Sequence, residues 1–192
     1  MMTADELQAT AHLRINCGCG DWPLTYWTNV DADPAVPADV HSDVIEYLAT
    51  LPENALKQIW ACHFLEHLTP VGAQAFLAQC WRTLQPGGRL GIVVPDTREI
   101  MQRWLAGAID CMEYPYGVYH AVADLDEVCR MFLYSDVQYS PHRWSYDAGT
   151  LRRLLAQNGF QDMVAIDRYR DQRLGSGQWY QCGWDGFKCA VS

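Results

Sequence analysis

The chain has 192 residues, 49% of them hydrophobic and 19% charged, with 14 Lys and Arg set against 23 Asp and Glu. That length suits one compact domain of roughly 100–200 residues, and the apolar content excludes a disordered tail or a fibrous repeat. A formal charge of −9, with Lys present only twice, argues against nucleic-acid partners and anionic membranes, since both need clustered basic side chains.

The opening MMTADELQAT is polar and acidic, unlike a secretory leader. The longest apolar stretches, such as GIVVP, fall far short of the roughly 20 residues a spanning helix needs. A soluble, cytoplasmic protein without a membrane partner is expected. Eight cysteines stand at Cys17, Cys19, Cys62, Cys80, Cys111, Cys129, Cys182 and Cys189, with no CxxC spacing. Several sit inside apolar runs, and a chain this long needs no covalent staples, so they read as free thiols acting as small hydrophobes.

In chain order, Thr3 with Glu6 forms a capping box that opens a short helix to Ala9. Leu13 to Cys19 reads as a strand running into a glycine turn. Trp27 to Asp31 is a second strand, Ala38 to Val44 a third, and Lys57 to His63 a fourth, short and apolar like a buried parallel strand. Thr69 and Pro70 start a helix as N-cap and N1. Its inward face carries Ala73, Phe76, Leu77, Cys80 and Leu84, and Pro86, Gly87 and Gly88 stop it. Arg89 to Val94 is the fifth strand. Asp96 with Glu99 begins a helix carrying Ile100, Met101, Trp104 and Leu105. Strands alternating with helices indicate a parallel α/β sheet.

From Gly107 to Arg143 the regularity breaks into a stretch rich in Tyr and acids, with one helix suggested by Leu125, Val128, Phe132 and Leu133. Asp147 then caps a helix whose Leu151, Leu154 and Leu155 face inward and whose stop is Gly159. Met163 to Ile166 and Gly186 to Val191 are the last two strand candidates.

The first glycine turn carries the chemistry. In INCGCGDW, two glycines after an apolar strand let the main chain approach a ligand closely. Eleven residues past Gly20 stands Asp31, at the end of the next strand, where a carboxylate can accept both hydroxyls of a ribose. A dinucleotide would need its pyrophosphate on a helix directly after the glycines. Asp21 to Tyr26 leaves room for about one turn, a third glycine is absent, and Asp31 arrives earlier than the ~20 residues usual for NAD. A nucleoside without phosphate fits better, and S-adenosyl-L-methionine is the common one.

The segments INCGCGDWP, WTNVDADP, ADVHSDVIEYLATLP, IWACHFLEHL, TLQPGGRLGIVVPD and HRWSYDAGTLRRLLAQNGF, in that order, resemble the small class I S-adenosylmethionine-dependent methyltransferases. The match covers residues 13–96 well and 142–160 moderately. It implies a Rossmann-like fold, a mostly parallel seven-stranded sheet flanked by helices. Residues 1–192 would form a single methyltransferase domain, with 107–141 inserted as a cap or substrate region. The resemblance further implies that Cys17, Gly18, Cys19 and Gly20 wrap the methionine part of the cofactor, through backbone more than side chain. Asp31 would hold the ribose, with Ala32 beside the adenine. Asp43 would reach the adenine amino group, next to the Val44 backbone, while Cys62 and His63 would lie under the sulfonium. Asn16 departs from the family, standing where an acid is usual.

His63 to His67 reads HFLEH, an HxxEH spacing seen in one class of zinc peptidase. The pattern sits at a strand-to-helix junction, the linear sequence shows no third ligand, and a similar HxLEHL occurs without metal in the resembled family. No metal is therefore assigned, and a zinc hydrolase is the least favoured reading. Methyl transfer to a hydroxyl calls for a base beside the cleft. His63 is the first candidate because a strand end aims it there, with His142 and His120 as alternatives. Tyr114, Tyr116, Tyr119, Tyr134 and Tyr139 could supply stacking surfaces for a substrate or a core for their own loop. The expected activity is methylation, at oxygen by preference, of a small molecule or saccharide. The alternative is a catalytically inactive relative that keeps the fold as a binding or interaction protein.

Overall fold

The computed structural model describes residues 10–108, 112–114, 117–119, 141–167, 171–174 and 180–189. The helix expected at Thr3 to Ala9 and the one expected around Leu125 to Leu133 lie outside these residues. So do Tyr116, His120, Tyr134 and Tyr139.

Seven strands form one sheet. They are β1 (Arg14–Cys17), β2 (Thr28–Asp31), β3 (Val40–His41), β4 (Leu56–Cys62), β5 (Leu84–Pro95), β8 (Gln161–Ala165) and β9 (Gln181–Phe187). Their spatial order is β3-β2-β1-β4-β5-β9-β8, and β6 (Met112–Tyr114) with β7 (Gly117–Tyr119) makes a separate two-stranded hairpin. The first five strands pair in parallel, whereas β9 runs antiparallel to both its neighbours. The order reverses between β1 and β4, and in such sheets ligands bind beyond the carboxyl ends of the strands at that reversal.

The middles of β1, β2 and β4 and the second half of β5 are buried. Ile15, Cys17, Val30, Ile59, Trp60 and Ala61 are each 1% exposed or less, which explains why the sequence shows continuous apolar runs there instead of alternation. Among the described residues, four helices accompany the sheet: α1 (Val44–Thr50), α2 (Pro70–Thr83), α3 (Thr97–Leu105) and α4 (Ala148–Gln157). Helix α2 starts as expected, with the Thr69 hydroxyl accepting from Gly72 N and Pro70 in the first turn, and buries Ala73, Phe76, Leu77 and Cys80. Each large apolar side chain removed from water on that face contributes about 1.5–3 kcal/mol. The remaining caps follow sequence as well: Asp96 accepts from Glu99 N, and Asp147 with Thr150 forms a reciprocal capping box.

The structure redraws three boundaries. The third strand is only two residues long, because Asp43 turns the chain and caps α1 with its carboxylate on Ile45 N and Glu46 N. Leu84, expected at the end of α2, is already paired with Leu56 of β4. The last strand occupies Gln181–Phe187 rather than Gly186 to Val191. Its register is set by partners on β5, with Gln181 opposite Pro95 and Asp185 opposite Gly91, which no local pattern specifies. Six described cysteines are free, and Cys17, Cys19 and Cys80 are buried. Among the described residues, no helix is long and apolar enough to cross a membrane.

Candidate functional site

Beyond the end of β1 the chain bends back over β2. Gly18 N and Cys19 N both donate to Val30 O, at 2.8 and 3.2 Å. Gly18 and Gly20 hold φ of +61° and +50°, the left-handed region where a side chain is strained. The two glycines serve different ends. A Cβ on Gly18 would lie 2.4 Å from the Phe64 ring, so this glycine lets the β4 loop pack against the β1 loop. A Cβ on Gly20 would meet nothing within 4 Å, so bare main chain there faces open space. Cys17 and Cys19 turn their thiols into the protein. Burial pushes the Cys17 thiol well up, and burial with the neighbouring Asp31 charge pushes Cys19 to about 11. Neutral thiols leave the main chain as the polar surface of this turn.

Asp31 closes the turn from β2. Its Oδ2 accepts from Gly20 N and its Oδ1 from Asp33 N, both at 2.9 Å. A carboxylate has about four acceptor sites, so capacity remains for two ribose hydroxyls. Ala32 is exposed beside it. Asp43 is exposed too, and both its capping bonds fall on Oδ1, leaving Oδ2 for an amino group. Val44 buries its side chain in the core and presents only main chain.

Asn16, the departure from the family pattern, is 3% exposed and structural. Its Nδ2 donates to Asn29 Oδ1 at 2.9 Å and to Trp22 O at 3.2 Å. Asn29 in turn accepts from Leu24 N at 2.7 Å and donates to Asp39 Oδ2 at 2.8 Å. This buried amide pair holds the shortened link between β1 and β2 in shape. A concavity of about 260 Å³ beside the link, lined by Leu24, Tyr26, Trp27 and Asp39, lies apart from the glycine turn.

His63 follows the last residue of β4 and is itself left-handed, with φ of +52°. Its Nδ1 lies 3.0 Å from Glu66 Oε1 and its Nε2 2.6 Å from Gln181 Nε2. Since an amide nitrogen and an imidazole cannot both donate, the network assigns the proton to Nδ1, given to Glu66, and a lone pair to Nε2. Glu66 is 1% exposed. Burial opposes its ionisation, but the hydrogen bond from His63 and the nearby His67 and His142 draw its carboxyl below the usual range. Cys62 is a protonated thiol, raised by burial and then by the Glu66 charge.

Segment 142–146 crosses beside this site. Arg143 N and Trp144 N both donate to Glu66 O, at 2.7 and 3.1 Å, and Tyr146 bridges to Asp96. His142 is thereby buried against His67, ring centroids 4.7 Å apart. Of the candidate bases, then, His63 sits at the β4 end between Glu66 and Gln181, while His142 joins Glu66 and His67. The sequence singled out neither Glu66 as the partner of His63 nor Gln181. The first was legible in the HFLEH spacing; Gln181 carries no local signal.

No protein-family model matches the chain, and no curated protein does. Solved structures do. A SAM-dependent methyltransferase of Archaeoglobus fulgidus aligns with a TM-score of 0.59 at 15% identity, over 97% of this chain and 95% of the other. A SAM-dependent methyltransferase of Thermotoga maritima gives 0.59 at 12% identity, over 91% and 81%. The 1,6-didemethyltoxoflavin-N1-methyltransferase of Burkholderia thailandensis, with S-adenosylhomocysteine bound, gives 0.52 at 16% identity, over 97% and 78%. The strand order with its single reversed strand is that of the class I S-adenosylmethionine-dependent methyltransferases, and this chain has their fold.

Proposed function

We propose that the chain is an S-adenosylmethionine-dependent methyltransferase acting on a hydroxyl of a small molecule or saccharide. The observation that carries this reading is the His63–Glu66 pair at the end of β4, beside the point where the strand order reverses. The glycine turn fits the methyl donor on its own evidence: open space at Gly20, a ribose-ready carboxylate at Asp31 and an exposed carboxylate oxygen at Asp43. Cys17 to Gly20 would hold the methionine portion by main chain, Asp31 the ribose, and Asp43 with the Val44 backbone the adenine. When bound, the donor supplies a methyl group already activated on a sulfonium.

The protein's own share is positioning and proton removal. Glu66 fixes the His63 tautomer by accepting a hydrogen bond from Nδ1–H, the role a buried carboxylate plays beside a catalytic imidazole. Nε2 would then accept the hydroxyl proton as the methyl group passes to the acceptor oxygen, the sulfonium–methyl bond breaking and the thioether leaving. Gln181 occupies Nε2 in this structure, so the acceptor hydroxyl takes the place of its amide. An inactive relative is the less supported reading, because Asn16 has a structural task in the link.

Calorimetric titration with S-adenosylhomocysteine and a labelled-methyl screen across sugars, phenols and acids test the proposal together. Asp31→Ala is expected to weaken binding by roughly 10–100-fold, the worth of a charged hydrogen bond. His63→Ala should leave that affinity unchanged and slow transfer by about 10²-fold or more. No binding by the intact protein, or equal affinity after Asp31→Ala, would refute the site.

A further inference from the structure

The fold supplies what the HxxEH spacing lacked in the linear sequence. Glu66, His67 and His142 each offer one ligand atom, all within 4.8 Å of one another. Two of these residues carry buried polar atoms without any partner, Glu66 Oε2 and His67 Nδ1. Such orphans are uncommon in proteins and call for an explanation. The two oxygens of Glu66 are divided: Oε1 is held by His63 at 3.0 Å, while Oε2 is left over. Glu66 and His142 also line a small void together with Thr97, Trp144 and Ser145. Ser145 Oγ is orphaned there as well.

We propose that Glu66, His67 and His142 form a binding site for a divalent transition-metal ion, zinc by preference, that ties segment 142–146 to the end of β4. One carboxylate and two imidazoles is a recurrent donor set for such ions. Tetrahedral bonds of about 2.0–2.2 Å set ligand atoms ~3.4 Å apart, so an ion would draw the widest pair of the cluster, now within 4.8 Å, together by up to ~1.4 Å. The backbone already supports the arrangement, since Glu66 O receives both Arg143 N and Trp144 N and thereby presents His142 to the turn. His63, bonded to the other oxygen of Glu66, would orient the ligand from outside, as second-layer partners of metal ligands do. The site shares Glu66 with the proposed base, through its other oxygen, and uses none of the residues assigned to the methyl donor, namely the glycine turn, Asp31 and Asp43.

The test uses the full chain, stripped with chelator and titrated with zinc alone, then with cobalt as a spectroscopic substitute. The expected result is one zinc per chain, a rise in thermal midpoint on binding, and a cobalt spectrum without thiolate charge-transfer bands. Glu66→Gln, His67→Gln and His142→Gln should each weaken zinc by roughly ten-fold or more, on the scale of perturbed metal sites, whereas exposed His41→Gln should not. Absence of stoichiometric zinc in the intact protein overturns the proposal. So does a thiolate band, which would move the ion to cysteines, or zinc affinity unchanged in all three variants. Should a variant fail to fold, the stoichiometry and cobalt spectrum of the unaltered chain decide the matter.

Discussion

Gly18 and Gly20 are two residues apart and share a left-handed backbone, yet they answer to different constraints. At Gly18 the Phe64 ring fills the position a Cβ would take, at 2.4 Å. Phe64 is itself set edge-on against Phe76, centroids 5.1 Å apart, so it has little freedom to retreat. Gly18→Ala should therefore combine backbone strain of about 1–2 kcal/mol with an overpacking cost of about 1–3 kcal/mol. Gly20→Ala should show the strain alone, because nothing stands in the way. Denaturant unfolding of both variants checks this: equal losses of stability would mean that Phe64 yields at no cost. Asn16 makes the same point about reading single residues. Judged by pattern it is a lost charge; judged by its bonds to Asn29 and Trp22 it is the stitch of a short link.

At the scale of elements, local chemistry decides where helices begin. Asp147 is the clearest case, accepting from Thr150 N at 2.6 Å while Thr150 Oγ1 accepts from Asp147 N at 2.8 Å. The Thr150 amide, assisted by the Thr150 hydroxyl and Arg98, holds the Asp147 carboxyl at about 2, against an ordinary 3.8. A carboxyl lowered on folding adds stability that is present above its unfolded value and is lost as pH falls through the folded one. Asp147→Ala should cost about 1 kcal/mol near neutrality, and the gap to the unaltered protein should narrow between pH 3.8 and about 2. Urea midpoints measured across that range would show it; a gap independent of pH would assign the cap's worth to geometry alone. Helix α1 obeys the same rule through Asp43, whose spacing to Glu46 is a start signal that the strand reading of Ala38 to Val44 overrode.

For the whole molecule, the decisive feature is the reversed strand β9 and what anchors it. Arg173 bonds both Asp171 and Asp185 of β9 and lies over the Trp60 ring of β4, 4.0 Å from its centroid. Gly91 of β5 makes room for this cluster, since a Cβ there would lie 2.6 Å from Trp60 and 2.7 Å from Asp185. With its side chain only 12% exposed, Arg173 cannot be removed without stranding carboxylates. Arg173→Met should destabilise the fold by about 3 kcal/mol or more, and adding Asp185→Asn should recover part of the loss. Thermal unfolding of the single and double variants measures that coupling; strictly additive losses would contradict it. The same strand delivers Gln181 to His63, so the anchor of β9 also sets one side of the proposed base.

Five parallel strands, the starts of α2, α3 and α4, and the glycine turn with Asp31 were legible in the residues alone. Each depends on chain neighbours: apolar runs for buried strands, a capping side chain three residues ahead, glycine where the backbone must turn left-handed. The seven-stranded sheet and its class were legible too, through the order of motifs. What the tertiary structure alone decided is pairing across distance. Gln181 meets His63 from 118 residues away, and His142 meets Glu66 because two backbone amides of segment 142–146 share one carbonyl. The register of β9 lies with its partners on β5 and not with its own pattern. Local propensity encodes how a segment bends and which face it hides, whereas the company a side chain keeps is set by the packing of the whole sheet.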